Sequence, residues 1–316
     1  MMKRQLAIVA LFAITALKVS AQQDPYYTFF MFNQMVYNPA YAGSKDAICA
    51  TATYKKQWSG FVGSPEFQTI TVNSPVGKKL GVGLGIINDK IGFQNSLNAV
   101  FNLSYKFQVG STGTLAVGAA GGFMQKSLDG TKMVAKDDLD PKIPISKVSA
   151  SAPDVNAGLW YTNPSIYNLR VGLSATHLMQ STITYDALAG SVDSKLATHY
   201  YLNAGIEYPL TGSITLEPNI LVKKDPSKVQ VDLNVFALYN NKIRGGILYR
   251  TGDALTAMVG YKVNDNLHFG YAYDFTTTGI KKYSGGSHEL YVTYCFRIKT
   301  KVKEPRSIIR LTPRYL

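Results

Sequence analysis

From Ile48 to the C-terminal strand the chain alternates apolar residues with small or polar ones at a period of two. Beyond the N-terminal stretch, no run approaches the roughly 18 apolar residues of a membrane helix. "LNAVFNLSYKF" puts Leu97, Ala99, Phe101, Leu103, Tyr105 and Phe107 on one face, and Asn98, Asn102, Ser104 and Lys106 on the other. "LHFGYAYDF" and "HELYVTYCFRI" repeat the pattern near the end of the chain. In a soluble sandwich the polar face would meet water and be rich in charge. Here it is mostly Gly, Asn, Ser and Thr, and the apolar face turns aromatic near strand ends. That pairing fits an all-β fold, a closed antiparallel transmembrane β-barrel with lipid outside and a hydrated or filled lumen.

About fourteen such strands can be counted, an even number as a single-chain outer-membrane barrel requires. The connections give an independent check. One set is short and turn-rich: "PVGK", "VGST", "TNPS", "PLTG", "YNNK" and "VNDN". The alternate set holds the long links, Lys126 to Pro153, His177 to Leu196 and Thr276 to Ser287. Short turns at one end and long loops at the other is the asymmetry of outer-membrane barrels. Two strands are less regular. "EFQTITVNS" has no clear facing, and Pro218 inside "SITLEPNILVKK" predicts a bulge.

Residues 1–21 read as a cleaved signal peptide, with Lys3 and Arg4, an apolar core from Leu6 to Leu17, and the small-residue site Val19-Ser20-Ala21. Residues 22–47 precede the barrel, residues 48–298 form it, and residues 299–316 are a basic periplasmic tail; both termini are expected in the periplasm of a Gram-negative cell. The net charge of +13 lies largely in the signal and that tail. The tail is read as a solvated basic segment or as one that docks on an acidic partner or anionic lipid. No nucleic-acid-binding module is present.

"DPYYTFFMFNQMVYNPAYAGS" follows the signal and is too greasy to leave in water. A fourteen-strand lumen must be filled, plugged or left as a channel. Asp24, Pro25, Tyr27, Phe30, Phe32, Asn33, Asn38, Pro39 and Tyr41 are therefore expected to form a plug or a clasp at the periplasmic mouth. Pro25 and Pro39 keep the segment from extending the sheet. On the outward loop, Trp58, Phe61 and Pro65 have two readings: an interfacial aromatic belt, or a docking surface for a secreted domain. Cys49 and Cys295 lie on the first and last strands, which barrel closure makes neighbours, and both point to the lumen near the periplasmic end. Register decides between a disulfide and two free thiols. Glu207, Asp232, Lys262, Asp274 and Arg297 are read as lumenal charges that pair.

His288 and Glu289 are adjacent on a strand and so face opposite ways, and the four histidines show no metal-ligand spacing. No nucleophile elbow or phosphate loop occurs. Neither catalysis, a metal nor a cofactor is expected.

The segment "MFNQMVYNPAYAGS", the stretch "QWSGFVGSPEFQTITVNSPV" and the ending "SGGSHELYVTYCF" together resemble the PorP/SprF family of outer-membrane proteins of the type IX secretion system. The ending departs slightly from the family's commoner apolar one. The resemblance implies export or anchoring of a surface protein that carries a C-terminal sorting domain, gliding adhesins among them, alongside periplasmic and outer-membrane secretion components. A rival reading is a channel for hydrophobic small molecules, similar to fatty-acid transporters, with Asp24 to Ser44 as its hatch.

Overall fold

Alternation this regular favours extended strands whose two faces meet different surroundings. In the computed structural model, which describes residues 24–134, 143–187 and 190–297, these are β1 (Ile48–Lys56), β2 (Glu66–Val76), β3 (Leu80–Ile91), β4 (Gln94–Val109), β5 (Gly113–Asp129) and β6 (Lys147–Asn163). There follow β7 (Leu169–Thr176), β8 (Thr182–Ala187), β9 (Gly190–Lys195), β10 (His199–Gly205), β11 (Tyr208–Pro209) and β12 (Ile214–Lys224). The last five are β13 (Val229–Tyr239), β14 (Ile243–Arg250), β15 (Ala254–Lys262), β16 (Leu267–Thr276) and β17 (Ser287–Phe296). The signal peptide and basic tail expected from the sequence lie outside the described residues.

Fourteen strands, β1 to β7, β10 and β12 to β17, pair antiparallel and close into a ring. β1 meets β17, and β10 meets β12 past the separate hairpin β8–β9. The closed antiparallel barrel expected from the alternation is present, with the strand number counted from the sequence. Ile70, Val72, Leu84, Ile86, Phe101 and Leu103 point outward and are exposed, while Thr69, Thr71, Asn102 and Ser104 point inward and are buried. Aromatic pairs ring the wall near its rims: Tyr105–Phe107 and Tyr294–Phe296 by the short turns, Tyr273–Phe275 by the long loops. The short turns use residues that tolerate positive φ. Asn240 and Asn241 sit at φ 47° and 54° as the Lys242 N–H closes the β13–β14 turn onto the Tyr239 carbonyl at 3.0 Å.

The irregular strands resolve differently from expectation. β2 alternates cleanly, with Phe67, Thr69, Thr71 and Asn73 inward. Its facing was obscured because threonine serves there as the inward residue. Pro218 causes no bulge: β12 stays in register with β13 throughout, Pro218 lying opposite Val235. The proline lacks an N–H for the other neighbour. The strand beside it is accordingly interrupted between β10 and β11 at Ile206 and Glu207, although the Ile206 N–H still donates to the Pro218 carbonyl. The long link after Lys126 is shorter than read, because β5 and β6 pair as far as Asp129 and Lys147. The link after His177 contains hairpin β8–β9, whose Ile183 and Tyr185 pack with Leu196, Met124 and Ala152.

Cys49 and Cys295 are a registered pair of β1 and β17 and are joined by a disulfide that spans 246 residues. It staples the strands at which the ring closes. Thiol labelling of the unreduced, denatured protein should find no free cysteine. Replacing both with serine should cost about 2–5 kcal/mol, read as earlier thermal unfolding in detergent.

Candidate functional site

Asp24–Gly43 runs along the inner wall of the barrel, mostly buried, with Asp24 bonded to Tyr201 and the Ala42 carbonyl to Ser104. Asn-Pro chemistry shapes its middle: Asn38 accepts the Ala40 N–H at 3.0 Å, and Pro39 opens a short 3-10 turn, Pro39–Tyr41. A second such turn covers Gln34–Val36. Tight loops of this kind cannot join the sheet, so the segment satisfies its polar groups against inward side chains instead.

The wall is shaped to receive it. A Cβ on Gly81 would lie 2.0 Å from the Ala42 carbonyl oxygen, one on Gly83 2.2 Å from Met35 Sδ, and one on Gly118 2.3 Å from the Ala40 nitrogen. Gly81, Gly83 and Gly118 thus form a bed for residues 35–42. Ser104 donates to the Ala42 carbonyl at 2.7 Å, and Lys106 donates to that of Gly43. Further along, Asn33 bridges Thr69 at 3.1 Å and Thr71 at 2.7 Å. Rings fill the intervals. Phe32 stacks on Tyr291, Tyr37 on Tyr201, and Tyr41 meets Trp160 edge-on. Phe30 is buried, and Tyr27 lies edge-on to Phe67.

Charge fixes the stretch nearer the long loops. The Thr28 and Phe29 N–H groups donate to the two oxygens of Glu289 at 2.7 and 3.0 Å. The fully buried Lys55 ammonium binds Asp274 at 2.9 Å, Glu289 at 3.3 Å and the Thr28 hydroxyl at 3.0 Å. Arg250, equally buried, pairs with Asp232 at 3.0 Å and reaches Asp253 and Asp274. Of the lumenal charges read from sequence, Asp232 and Asp274 therefore do pair inside. Glu207 pairs with Arg170 beside a short turn, Lys262 with Asp265 on another, and Arg297 is exposed beyond β17. Glu289 faces the lumen, while His288 bonds the Tyr271 hydroxyl on the other face at 2.7 Å.

The segment's first described residue is at the far end from where it was expected. Ala42 and Gly43 lie by the short turns, but Asp24 sits at the ends of β7 and β10 nearest the long loops. Its carboxylate meets His177 Nε2 at 3.0 Å and the Tyr201 hydroxyl at 2.6 Å, and Lys223 donates to its backbone carbonyl. His177 Nδ1 is held by Asp154 at 2.9 Å. Burial alone would lower the His177 pKa, but Asp24 and Asp154 carry it up to about 10. Burial likewise works to raise the Asp24 carboxyl, and the cations around it hold it well below the usual range. His177 and Tyr201 stand 153 and 177 residues from Asp24 in sequence, so no spacing motif could have exposed them.

A cavity of about 400 Å³ adjoins this point, lined among others by Asp24, Pro25, Trp58, Pro65, Asp89 and His199. The β1–β2 loop is thus divided. Trp58 and Pro65 are half-buried on the cavity wall, whereas Phe61 and Val62 are exposed. A separate apolar groove on the barrel wall includes Leu169, Ile206, Pro218, Ile220, Leu233 and Tyr249.

A family model described as type IX secretion system membrane protein PorP/SprF matches residues 19–294. No curated protein matches. Among solved structures, the Ralstonia pickettii toluene transporter TbuX is 14% identical, with 84% of this chain and 93% of that chain covered and a TM-score of 0.48. A Pseudomonas aeruginosa FadL homologue is 12% identical over 87% and 95%, also with a TM-score of 0.48. The P. putida toluene transporter TodX is 10% identical over 83% and 92%, again with a TM-score of 0.48.

Proposed function

The chain belongs to the PorP/SprF family of type IX secretion system membrane proteins, and from that premise we propose that it is a non-enzymatic anchor or export partner for one surface protein with a C-terminal sorting domain. The long-loop end faces outward and presents the docking surface; the short turns face the periplasm and the other secretion components. One observation carries this reading: Asp24–Gly43 follows the inner wall and is bonded to wall residues at both ends. A barrel so lined works through its rims rather than through its bore. In this reading the segment is an internal plug, with Asp24, Pro25, Tyr27, Phe30, Phe32, Asn33, Asn38, Pro39 and Tyr41 as its anchoring residues.

Phe61 and Val62 are the exposed apolar residues of the β1–β2 loop and the first candidates for cargo contact. Phe61→Ser with Val62→Ser should leave heat-modifiable migration of the barrel unchanged. Cell-surface retention of proteins with the sorting domain should fall several-fold. Unchanged retention would leave the loop a structural rim.

The channel reading has its own support in the apolar groove beside Pro218, where the wall ladder is interrupted. The groove and the inner cavity share no lining residue, and the buried Asn203, Asn219 and Asn234 form a polar layer at this part of the wall, Asn203 bonded to Gln34 and Asn219 to Asn234. A hydrophobic solute leaving by that route would have to cross a polar layer. The anchor reading is the better supported.

A further inference from the structure

Asp24, His177 and His199 converge from the N-terminal segment, the end of β7 and the start of β10. Their ligand atoms all lie within 4.8 Å of one another. We propose that these three side chains bind a divalent first-row transition-metal ion, with zinc as the representative, and that the ion clasps the start of the lumenal segment to the barrel wall. The inference goes beyond the secretion role and does not depend on it.

Three features make this more than a chance group of polar residues. The first is tautomer control. The Asp24 backbone N–H donates to His199 Nε2 at 3.3 Å, and a backbone N–H can only donate, so that nitrogen carries a lone pair. Its proton is therefore on Nδ1, which is 2.9 Å from the Ala197 carbonyl. His177 is arranged alike: Nδ1 faces Asp154 at 2.9 Å and Nε2 faces the Asp24 carboxylate at 3.0 Å. The His177 ring is thus oriented by an acceptor behind Nδ1 with Nε2 directed to the cluster, as in carboxylate–histidine–metal arrangements; His199 brings Nδ1 to 3.7 Å from Asp24 Oδ2, and an ion bound through its Nε2 takes the place of the Asp24 N–H.

The second feature is the donor set. Two imidazole nitrogens and one carboxylate suit zinc and related ions, leaving further positions for water. Donors about 2.1 Å from a common ion lie roughly 3–3.5 Å apart, so the widest separation must close by about an ångström. Small side-chain rotations supply that. Tyr201 and Thr176 bond Asp24 Oδ2, leaving Oδ1 toward His177.

The third is access and charge. The cluster lies on the wall of the cavity of about 400 Å³, so an ion and its waters have a place to enter. Lys223 adds an adverse positive charge nearby, and Asp154 behind His177 offsets it.

The test uses the full mature protein in detergent, purified without a polyhistidine tag and stripped with chelator. Titration with Co²⁺, followed by the visible d–d bands, should give one equivalent per chain, and Zn²⁺ should displace it. Asp24→Asn and His199→Gln should each weaken binding at least tenfold, and Asp154→Asn should weaken it about 10–100-fold by releasing the His177 ring. His288→Ala, on the outer face, should bind as the wild type does. Zn²⁺ should also raise the unfolding temperature of the wild type and not of His199→Gln. Heat-modifiable migration identifies any variant that fails to fold, and the remaining two then decide. Less than one equivalent in the wild type, or wild-type affinity in the folded variants, would overturn the site.

Discussion

Lys55→Met should destabilise the barrel by about 3–5 kcal/mol and release the start of the lumenal segment. The Lys55 ammonium has no exposure and holds Asp274, Glu289 and the Thr28 hydroxyl together. Methionine fills most of the same volume, so the loss is electrostatic rather than a cavity. It leaves two carboxylates in the lumen with Arg250 as the nearby cation, and Arg250 already serves Asp232 and Asp253. Repulsion and unpaired burial should push Glu289 out of its bond with the Thr28 and Phe29 N–H groups. The expected readouts are a lower unfolding temperature and new protease cleavage among residues 24–33. A paired change separates this cause from general damage. Glu289→Gln alone still offers an oxygen to one N–H but leaves Lys55 short of a partner. Combined with Lys55→Met it removes a charge of each sign, so the double variant should be more stable than the sum of the single losses predicts. Strict additivity would mean that the two side chains do not act as a unit.

The fold was readable because a bilayer enforces a rule on every strand. Phe101, Leu103, Tyr105 and Phe107 must face acyl chains, and a period-two pattern survives in the sequence with little dependence on distant residues. Turn chemistry at Asn240 and Asn241 is equally local. β2 was harder to read because inward Thr69 and Thr71 answer to Asn33 rather than to water. Pro218 was read locally as a distortion of its own strand; its missing N–H instead faces the neighbour, where the interruption falls.

The interior was less legible, for the opposite reason. Its contacts join residues far apart, and what matters is which wall position lies beside which point of the segment. Asp24–Ser44 could be recognised as a segment that needs shelter, but not traced from one rim to the other. The glycines of "LGVGLGI" could be placed on a strand, yet nothing local says that Met35 and Ala42 lie against them. The cluster at Asp24 draws on β7 and β10, and the expectation that scattered histidines signify no metal centre was built on spacing alone. Spacing is informative for ligands on one element and silent for ligands gathered by a barrel.

Deleting Asp24–Ser44 should convert a closed barrel into a conducting one. The segment contributes Phe29, Phe30, Tyr37 and Tyr41 to the buried interior, and the glycine bed leaves little free volume beside residues 35–42. Removing it exposes an inner wall of Thr51, Thr53, Thr69, Thr71, Asn102 and Ser104, groups that water can solvate. The outward apolar face and the Cys49–Cys295 staple are untouched, so the ring should still assemble and migrate as a folded barrel. In planar bilayers the intact protein should give almost no current, and the deletion variant stepwise currents at least about tenfold larger. A milder variant reaches the same end by steric means. Gly83→Leu places a branched side chain where Met35 Sδ now lies, which should dislodge the middle of the segment and give intermittent openings. Persistent silence from a correctly folded deletion variant would mean that the long loops, with hairpin β8–β9, seal the bore by themselves. The lumenal segment would then be a fastening of the barrel rather than its stopper.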